Sequence, residues 1–131
     1  MTTTIDQDAV AETWAFPPGE EGYVERDGVR VHWELFGSGD RTVLLLPSWS
    51  IVPARVWKGQ VPHLARRGRV VVFDPRGNGR SDRPADPSAY DVEEFVEDAL
   101  AVLDATRTDR AALVGLSLGA ERQLALGARA P

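Results

Sequence analysis

A single serine stands between two glycines near the end of this sequence, in the stretch Gly-Leu-Ser-Leu-Gly from Gly115 to Gly119. An apolar run precedes this stretch and a helix-like segment follows it. A sharp strand-to-helix turn of this kind strains the backbone of the serine and lifts its hydroxyl clear of the sheet. The pattern matches the Gly-x-Ser-x-Gly nucleophile elbow, which makes Ser117 a candidate nucleophile.

Both positions next to such a turn require glycine for steric reasons. A side chain at position 115 or 119 would collide with the neighbouring strand or helix. The helix that begins after Ser117 places the backbone N–H of Leu118 beside the reaction centre, where it can stabilise an oxyanion. The competing interpretation is a structural serine in a tight turn.

Composition limits the other classes of function. The 131 residues suit one domain, and the net charge of −5 argues against a nucleic-acid or anionic membrane surface. The absence of cysteine excludes disulfides, thiolate metal sites and a cysteine nucleophile. No run approaches membrane-spanning length, and the first residues do not resemble a secretory signal. We expect a cytoplasmic protein that needs no metal or organic cofactor.

The hydrophobic pattern predicts the strands that position Ser117. Residues 1–21 are polar and end in a Pro-Pro-Gly segment, so we expect a flexible lead-in before a domain over residues 22–131. Asp27-Gly28 joins two β-rich runs and predicts a hairpin, whose second run alternates as if one face were buried. Continuous apolar runs predict strands covered on both faces at residues 42–47, 69–74 and 111–115.

Helices are predicted between these strands. After Asp91, apolar residues recur with a period of 3.6, which predicts an amphipathic helix. Asp91 and Glu94 match the spacing of a capping box at its start. The acidic run 91–98 predicts a solvated face of this helix. A weaker helix is expected to begin near Gln60, because Pro62 suits a first turn. Trp33 and Trp57 are expected in the core or packed against a helix. Alternating strands and helices predict an α/β fold with a mostly parallel sheet.

With these elements in this order, the sequence resembles the α/β-hydrolase superfamily over about residues 22–131. The turn around Ser117 and the segment VVVFDPRGNGRSDRP, residues 70–84, carry the resemblance. It implies the N-terminal portion of that fold, in which a β-hairpin leads into a mostly parallel sheet with flanking helices. The loop residues that match the family signature are implied to be structural, and they are Asp74, Arg76, Gly77, Gly79 and Ser81.

The resemblance also implies an oxyanion hole made of backbone N–H groups. Leu118 would supply one and Trp49 the other, from the loop after the third strand. Pro47-Ser48 stand where many members of the family have His-Gly, so this loop departs from the family pattern. The Trp49 side chain is expected either to pack against the fold or to line the acyl pocket.

The remaining machinery should follow the serine, because the family order is Ser, then Asp or Glu, then His. The fourteen residues after Ser117 contain one acid, Glu121, and no histidine, while His32 and His63 lie upstream. We therefore expect a chain truncated after the helix that follows Ser117, lacking the full triad and inactive by itself. Residues 111–115 would then form an exposed apolar edge of the sheet.

The resemblance implies a serine hydrolase that acts on an ester, thioester or related acyl substrate, with that small molecule as its partner. An acyltransferase of the same superfamily shares the turn at Ser117 and stays open. A non-catalytic fragment or sensor module also stays open, whereas dehalogenase chemistry is disfavoured because such members carry Asp in place of the serine. Oligomeric state is not indicated by the sequence.

Overall fold

Five strands form one mixed sheet in a computed structural model that describes residues 16–49 and 51–130. In chain order they are β1 (Glu20–Arg26), β2 (Val29–Phe36), β3 (Thr42–Leu45), β4 (Arg69–Phe73) and β5 (Ala112–Val114). Their spatial order is β1-β2-β4-β3-β5. β2 is antiparallel to both of its neighbours, and β3 is parallel to both β4 and β5. The predicted α/β fold is confirmed, in which a hairpin leads into parallel strands with flanking helices.

The described residues also form three α-helices and two 3-10 turns, all of them between strands except the last helix, which follows β5. The helices are α1 (Val61–Ala65), α2 (Val92–Ala105) and α3 (Leu118–Arg129), and the 3-10 turns are Ala54–Trp57 and Pro87–Tyr90. α1 begins after Gln60 with proline in its first turn, as predicted, because a proline there loses no helical hydrogen bond.

The core consists of two apolar clusters, one on each face of the sheet. β4 contributes to both, because its alternate side chains point to opposite faces. One cluster packs the sheet against α2 and α3 and includes Trp33, Val71, Phe73, Phe95 and Leu126. The other packs the sheet against α1 and the first 3-10 turn and includes Phe36, Trp57, Val61, Val70 and Val72. The expected core positions of Trp33 and Trp57 are confirmed.

β2 differs from the prediction that only one of its faces is buried. Every residue from Val31 to Phe36 is buried, including the polar residues His32 and Glu34. On the second face, Phe36 belongs to the apolar cluster that packs against α1. The loop after β4 reaches His32, where Arg80 Nη1 lies 3.3 Å from His32 Nε2 and Ser81 Oγ accepts a hydrogen bond of 2.9 Å from His32 N. Alternation in the sequence therefore marked polarity here and not exposure.

The acidic helix face was also predicted wrongly as fully solvated, because Asp98 is buried. Arg76 donates to both oxygens of the Asp98 carboxylate, from Nε at 2.7 Å and from Nη2 at 2.9 Å. Arg26 of β1 adds a third bond to Asp98 at 3.0 Å. This network joins the hairpin, the loop after β4 and α2.

The predicted capping box of α2 does not form. Asp91 occupies the N-cap position, but its side chain makes no capping hydrogen bond. Glu94 instead accepts a hydrogen bond of 2.8 Å from Arg26 Nη2, because a hydrogen bond from a charged donor is stronger than one from a neutral backbone N–H.

The expected lead-in over residues 1–21 falls mostly outside the described residues, which begin at Phe16. β1 begins at Glu20, two positions before the expected domain start at residue 22. Phe16 packs on Phe36, with 6.3 Å between the ring centroids. Within the described ranges, no helix is both long and apolar enough to span a membrane.

Replacing Asp98 by asparagine is expected to lower the free energy of unfolding by about 3 kcal/mol, because the buried Arg76 guanidinium loses its bidentate carboxylate partner and keeps only Glu94 as a charged partner, at 3.4 Å. Urea denaturation followed by tryptophan fluorescence measures the change. Asp104→Asn, at an exposed position of the same helix, is the matched control and should shift stability by less than about 0.5 kcal/mol. Equal losses in the two variants would contradict the structural role of the network.

Candidate active site

Ser117 lies at the corner where β5 ends and α3 begins. It is exposed, and its backbone has φ 58° and ψ −123°, a region that residues other than glycine rarely adopt. Such a conformation costs about 1–3 kcal/mol and persists only where the surrounding structure enforces it. Ser117 therefore stands at a strained strand-to-helix turn of the kind that the sequence predicted.

The two glycines make this turn possible. A Cβ on Gly115 would lie 2.8 Å from the backbone nitrogen of Ala120 and closer still to the Gly119 carbonyl. A Cβ on Gly119 would lie 2.8 Å from the carbonyl oxygen of Pro47, at the end of β3. The predicted collisions are confirmed. A side chain at position 115 would meet the backbone of α3, and a side chain at position 119 would meet the chain at the end of β3.

The first backbone N–H groups of α3 lie next to Ser117. Gly119 N donates to Leu116 O at 3.0 Å and Ala120 N donates to Ser117 O at 2.9 Å. The N–H of Leu118, the first residue of the helix, has no acceptor within the helix, as holds for every helix start. Its role as an oxyanion donor stays a prediction, which this position at the start of the helix supports.

Trp49 follows β3 and leaves the sheet at the same edge as Ser117, because β3 and β5 are parallel neighbours. Its carbonyl accepts a hydrogen bond from Val52 N at 3.2 Å, and its side chain is 56% exposed. The sequence predicted that this side chain either packs against the fold or lines a pocket. Its exposure does not support packing against the fold.

Neither histidine lies near Ser117. His32 is on β2, three strands from β5, which corresponds to about 14 Å at ordinary strand spacing. His63 is exposed on α1, where its Nε2 lies 3.3 Å from Arg67 Nη1. Glu121 is exposed in the first turn of α3. Among the described residues, then, no histidine is positioned to take the Ser117 proton.

The loop after β4 is held by its own polar groups. Asp74 accepts from Ala54 N at 2.7 Å through one carboxylate oxygen and from Arg80 N at 3.0 Å through the other. Ser81 Oγ donates to Asp74 O at 2.7 Å. Gly79 has φ 53°, and a Cβ there would overlap the Asp74 carboxylate. These contacts agree with the structural role that the family resemblance implied for this loop.

A cluster of titratable groups lies beneath the same loop. His32 Nδ1 lies 3.8 Å from Glu34 Oε1 and 3.8 Å from Asp74 Oδ2. Its Nε2 lies 3.6 Å from Glu21 Oε2. Burial lowers the pKa of the His32 imidazole, although Asp74 opposes the shift. Burial, with the nearby Asp74 and Glu21 carboxylates, raises the pKa of Glu34 to about 7.

Arg122 is a buried charged residue that the sequence analysis did not single out. It lies on α3 with its guanidinium carbon 4.2 Å from the centre of the Phe95 ring, and burial lowers its pKa. The helical spacing of the sequence could have predicted its burial, because position 122 lies on the same helix face as Gly119 and Leu126, which are both buried. This contact anchors α3 on α2 close to Ser117.

Metal coordination has no candidate within residues 16–49 and 51–130, where no three histidine, cysteine, aspartate or glutamate side chains are grouped to hold an ion.

Comparison with known proteins identifies the family. A family model described as the alpha/beta hydrolase fold matches residues 42–131. The chain belongs to the α/β-hydrolase fold family. The matched range includes the loop after β4 and the whole turn around Ser117.

Relatives in this family are hydrolases of several kinds. The putative carbamate hydrolase RutD of Caulobacter segnis is 37% identical over 108 residues, which cover 80% of this chain and 39% of that protein. Epoxide hydrolase A of Mycobacterium tuberculosis is 35% identical over 101 residues, covering 76% of this chain and 31% of its own length.

A solved structure of the same fold belongs to Est816, described as an N-acyl homoserine lactone degrading enzyme. Its TM-score is 0.73 at 37% identity, covering 83% of this chain and 41% of that one. This hydrolase-fold chain thus spans well under half the length of the proteins it matches.

Gly119→Ala is expected to destabilise the chain by about 1–3 kcal/mol, because the added Cβ forces α3 away from the end of β3. Gly127→Ala is the matched control in the same helix, since a Cβ there meets nothing within 4 Å. It should stabilise the chain by up to about 1 kcal/mol through helix propensity. Urea denaturation checks both, and a Gly119→Ala variant as stable as Gly127→Ala would contradict the close approach.

The stability of the parent chain is expected to fall as pH rises from about 4.5 to 7, and Glu34→Gln is expected to abolish this fall. The folded chain holds the Glu34 proton more tightly than the unfolded chain, so stability is present at low pH and is lost as pH rises through the folded pKa. His32, with its lowered pKa, contributes the opposite slope below its ordinary value in both proteins.

The variant should therefore match the parent near pH 5 and exceed it near pH 8 by about 2–3 kcal/mol, measured by denaturation at a series of pH values. Glu25→Gln on the neighbouring strand, at an exposed position, is the control and should leave the pH curve of the parent unchanged. A Glu34→Gln curve with the parent's slope would show that another group is responsible.

Proposed function

We propose that this chain carries the nucleophile and oxyanion hole of a serine hydrolase that acts on esters, thioesters or related acyl compounds. The supporting observation is the backbone of Ser117, which the steric demands of Gly115 and Gly119 hold at a positive φ. In this conformation the hydroxyl is exposed at the start of a helix, where an attacking oxygen and an oxyanion donor are neighbours.

In the proposed reaction, Ser117 Oγ attacks the carbonyl carbon of a small acyl substrate and gives its proton to a base. The carbonyl oxygen becomes an oxyanion that accepts hydrogen bonds from the N–H groups of Leu118 and Trp49. The intermediate expels the alcohol or thiol, which takes up the proton, and leaves an acyl-enzyme. Water then attacks the acyl carbon, releases the acid and restores the serine.

Serine at this position favours acyl substrates over epoxides, even though an epoxide hydrolase is among the relatives. Attack of a hydroxyl on an epoxide carbon would produce an ether, which has no carbonyl for water to attack. An ester of serine does have that carbonyl, so the enzyme can be regenerated. The carbamate and lactone chemistry in the names of other relatives involves such carbonyl groups.

The proposal assigns the general base and its acid to sequence outside residues 1–131, in the family order of Ser, acid and His. Without a base, a serine hydroxyl is a weak nucleophile near neutral pH. We therefore propose that Ser117 of the 131-residue chain reacts slowly by itself. We also propose that the protein is cytoplasmic and uses no cofactor.

Labelling with a fluorophosphonate, mapped by peptide mass spectrometry, tests the proposal. We expect slow modification at Ser117 alone, accelerated by added imidazole because imidazole supplies a base in solution. Ser117→Ala should abolish the labelling. Ser38→Ala, at an exposed serine in the connection between β2 and β3, should leave the rate unchanged.

Two results would count against the proposal. Labelling spread evenly over exposed serines would show that the turn does not activate Ser117. Rapid labelling without any added base would contradict the expected low reactivity of this chain and would require a base within it.

A further inference from the structure

Asn78 is followed by Gly79 in the loop after β4, and it is the only asparagine in the sequence. Asparagine is among the thermolabile residue types, because its side-chain amide can be attacked by the backbone nitrogen of the residue that follows it. A glycine in that following position has no Cβ to hinder the attack. The pair therefore has the residue types that this reaction requires.

The structure brings the two reacting groups together. Gly79 N donates a hydrogen bond of 2.9 Å to Asn78 Oδ1, so the carboxamide lies beside the peptide nitrogen that would attack it. A reaction between groups already held in contact avoids the entropic cost of bringing them together. In this chain Gly79 is exposed and Asn78 is half-buried, so water also reaches the pair.

We propose that Asn78-Gly79 is a site of spontaneous deamidation, where the asparagine converts to aspartate and isoaspartate, and that the isoaspartate loosens the loop after β4. The attacking nitrogen and the amide belong to adjacent residues. The reaction therefore needs water alone, with no enzyme, cofactor or partner surface.

The reaction has two steps that balance without an oxidant or reductant. First, Gly79 N loses its proton to hydroxide and forms a bond to Asn78 Cγ, while the bond from Cγ to Nδ2 breaks. Nδ2 takes up a proton from water and leaves as ammonia, and a succinimide ring remains. Water then opens this ring. Attack at Cγ gives aspartate, whereas attack at the main-chain carbonyl carbon gives isoaspartate, in which the main chain continues through the former side chain.

Isoaspartate at position 78 would break the turn that the loop forms there. Ser81 N donates to Asn78 O at 3.0 Å, and Asn78 N donates to Pro75 O at 3.0 Å. Isoaspartate inserts a methylene into the main chain and turns the former main-chain carbonyl into a carboxylate, so the bond from Ser81 N loses its geometry. Ser81 Oγ is hydrogen-bonded to His32 N and Asp74 O. The modification thus reaches the contacts that hold the loop against the sheet.

Incubation of the folded 131-residue chain at mildly alkaline pH tests the proposal by intact mass, ammonia release and peptide mapping. We expect the mass gain of replacing NH₂ by OH at position 78, with an equal amount of ammonia. Asn78→Gln should slow both at least about tenfold, because its longer side chain would have to close a larger ring. Gln60→Ala is the control, which removes an exposed amide just before α1 and should leave the rate unchanged.

A peptide of residues 74–83 shows whether the fold presents the pair for reaction. The folded chain is expected to release ammonia at a rate within about tenfold of the peptide, or faster, because the hydrogen bond already holds the carboxamide beside Gly79 N. Release more than about tenfold slower in the folded chain would overturn the proposal, since the loop would then protect the pair. This comparison decides even if Asn78→Gln does not fold.

Urea denaturation of the modified fraction tests the effect on the loop. The isoaspartate form, which endoproteinase Asp-N does not cleave at position 78, should unfold at a lower urea concentration than the parent. Asn78→Asp adds the same charge on an intact main chain and should unfold closer to the parent. An isoaspartate form as stable as the parent, or as stable as Asn78→Asp, would overturn the loosening that we assign to it.

Discussion

The close approach of α3 to the end of β3 is the constraint on which the candidate site depends. Gly119 lies against the Pro47 carbonyl, and Gly115 lies against the backbone of the same helix, so neither position accommodates a Cβ. The turn between them leaves Ser117 no ordinary conformation, and the residue takes a positive φ. Burial of Leu126 and stacking of Arg122 on Phe95 hold the helix in place and offset this strain.

Directional polar contacts hold the loop after β4 and join it to the hairpin and α2. Asp74 fixes the loop after β4 and also reaches the first 3-10 turn through Ala54 N. Asp98 binds arginines from two other segments of the chain, Arg76 at 2.7 Å and Arg26 at 3.0 Å. Charge-assisted hydrogen bonds of this kind fix orientation as well as proximity.

Membership of the α/β-hydrolase fold family places the turn at the edge where such sheets carry chemistry. Ligands of open parallel sheets bind beyond the carboxyl ends of the strands, and Ser117 and Trp49 both follow such ends. The described residues bring together a hydroxyl and helix-start N–H groups, whereas His32 and His63 lie elsewhere. The proposed nucleophile and oxyanion donors belong to one or two turns, so their geometry can be described in a chain well under half the length of its relatives.

The sequence by itself determined the strands, the helices and the turn at Ser117, because each follows from a local pattern. Continuous apolar runs, an Asp-Gly pair and two glycines around a serine predict conformation without reference to distant residues. Only the tertiary structure decided the burial of Asp98, whose partner Arg26 is 72 positions away in the chain. The same holds for His32 and Glu34, which alternate like exposed residues yet are buried, His32 beside Arg80 from another part of the sequence. Local spacing specifies backbone geometry, whereas the environment of a charge depends on which distant segments the fold packs against it.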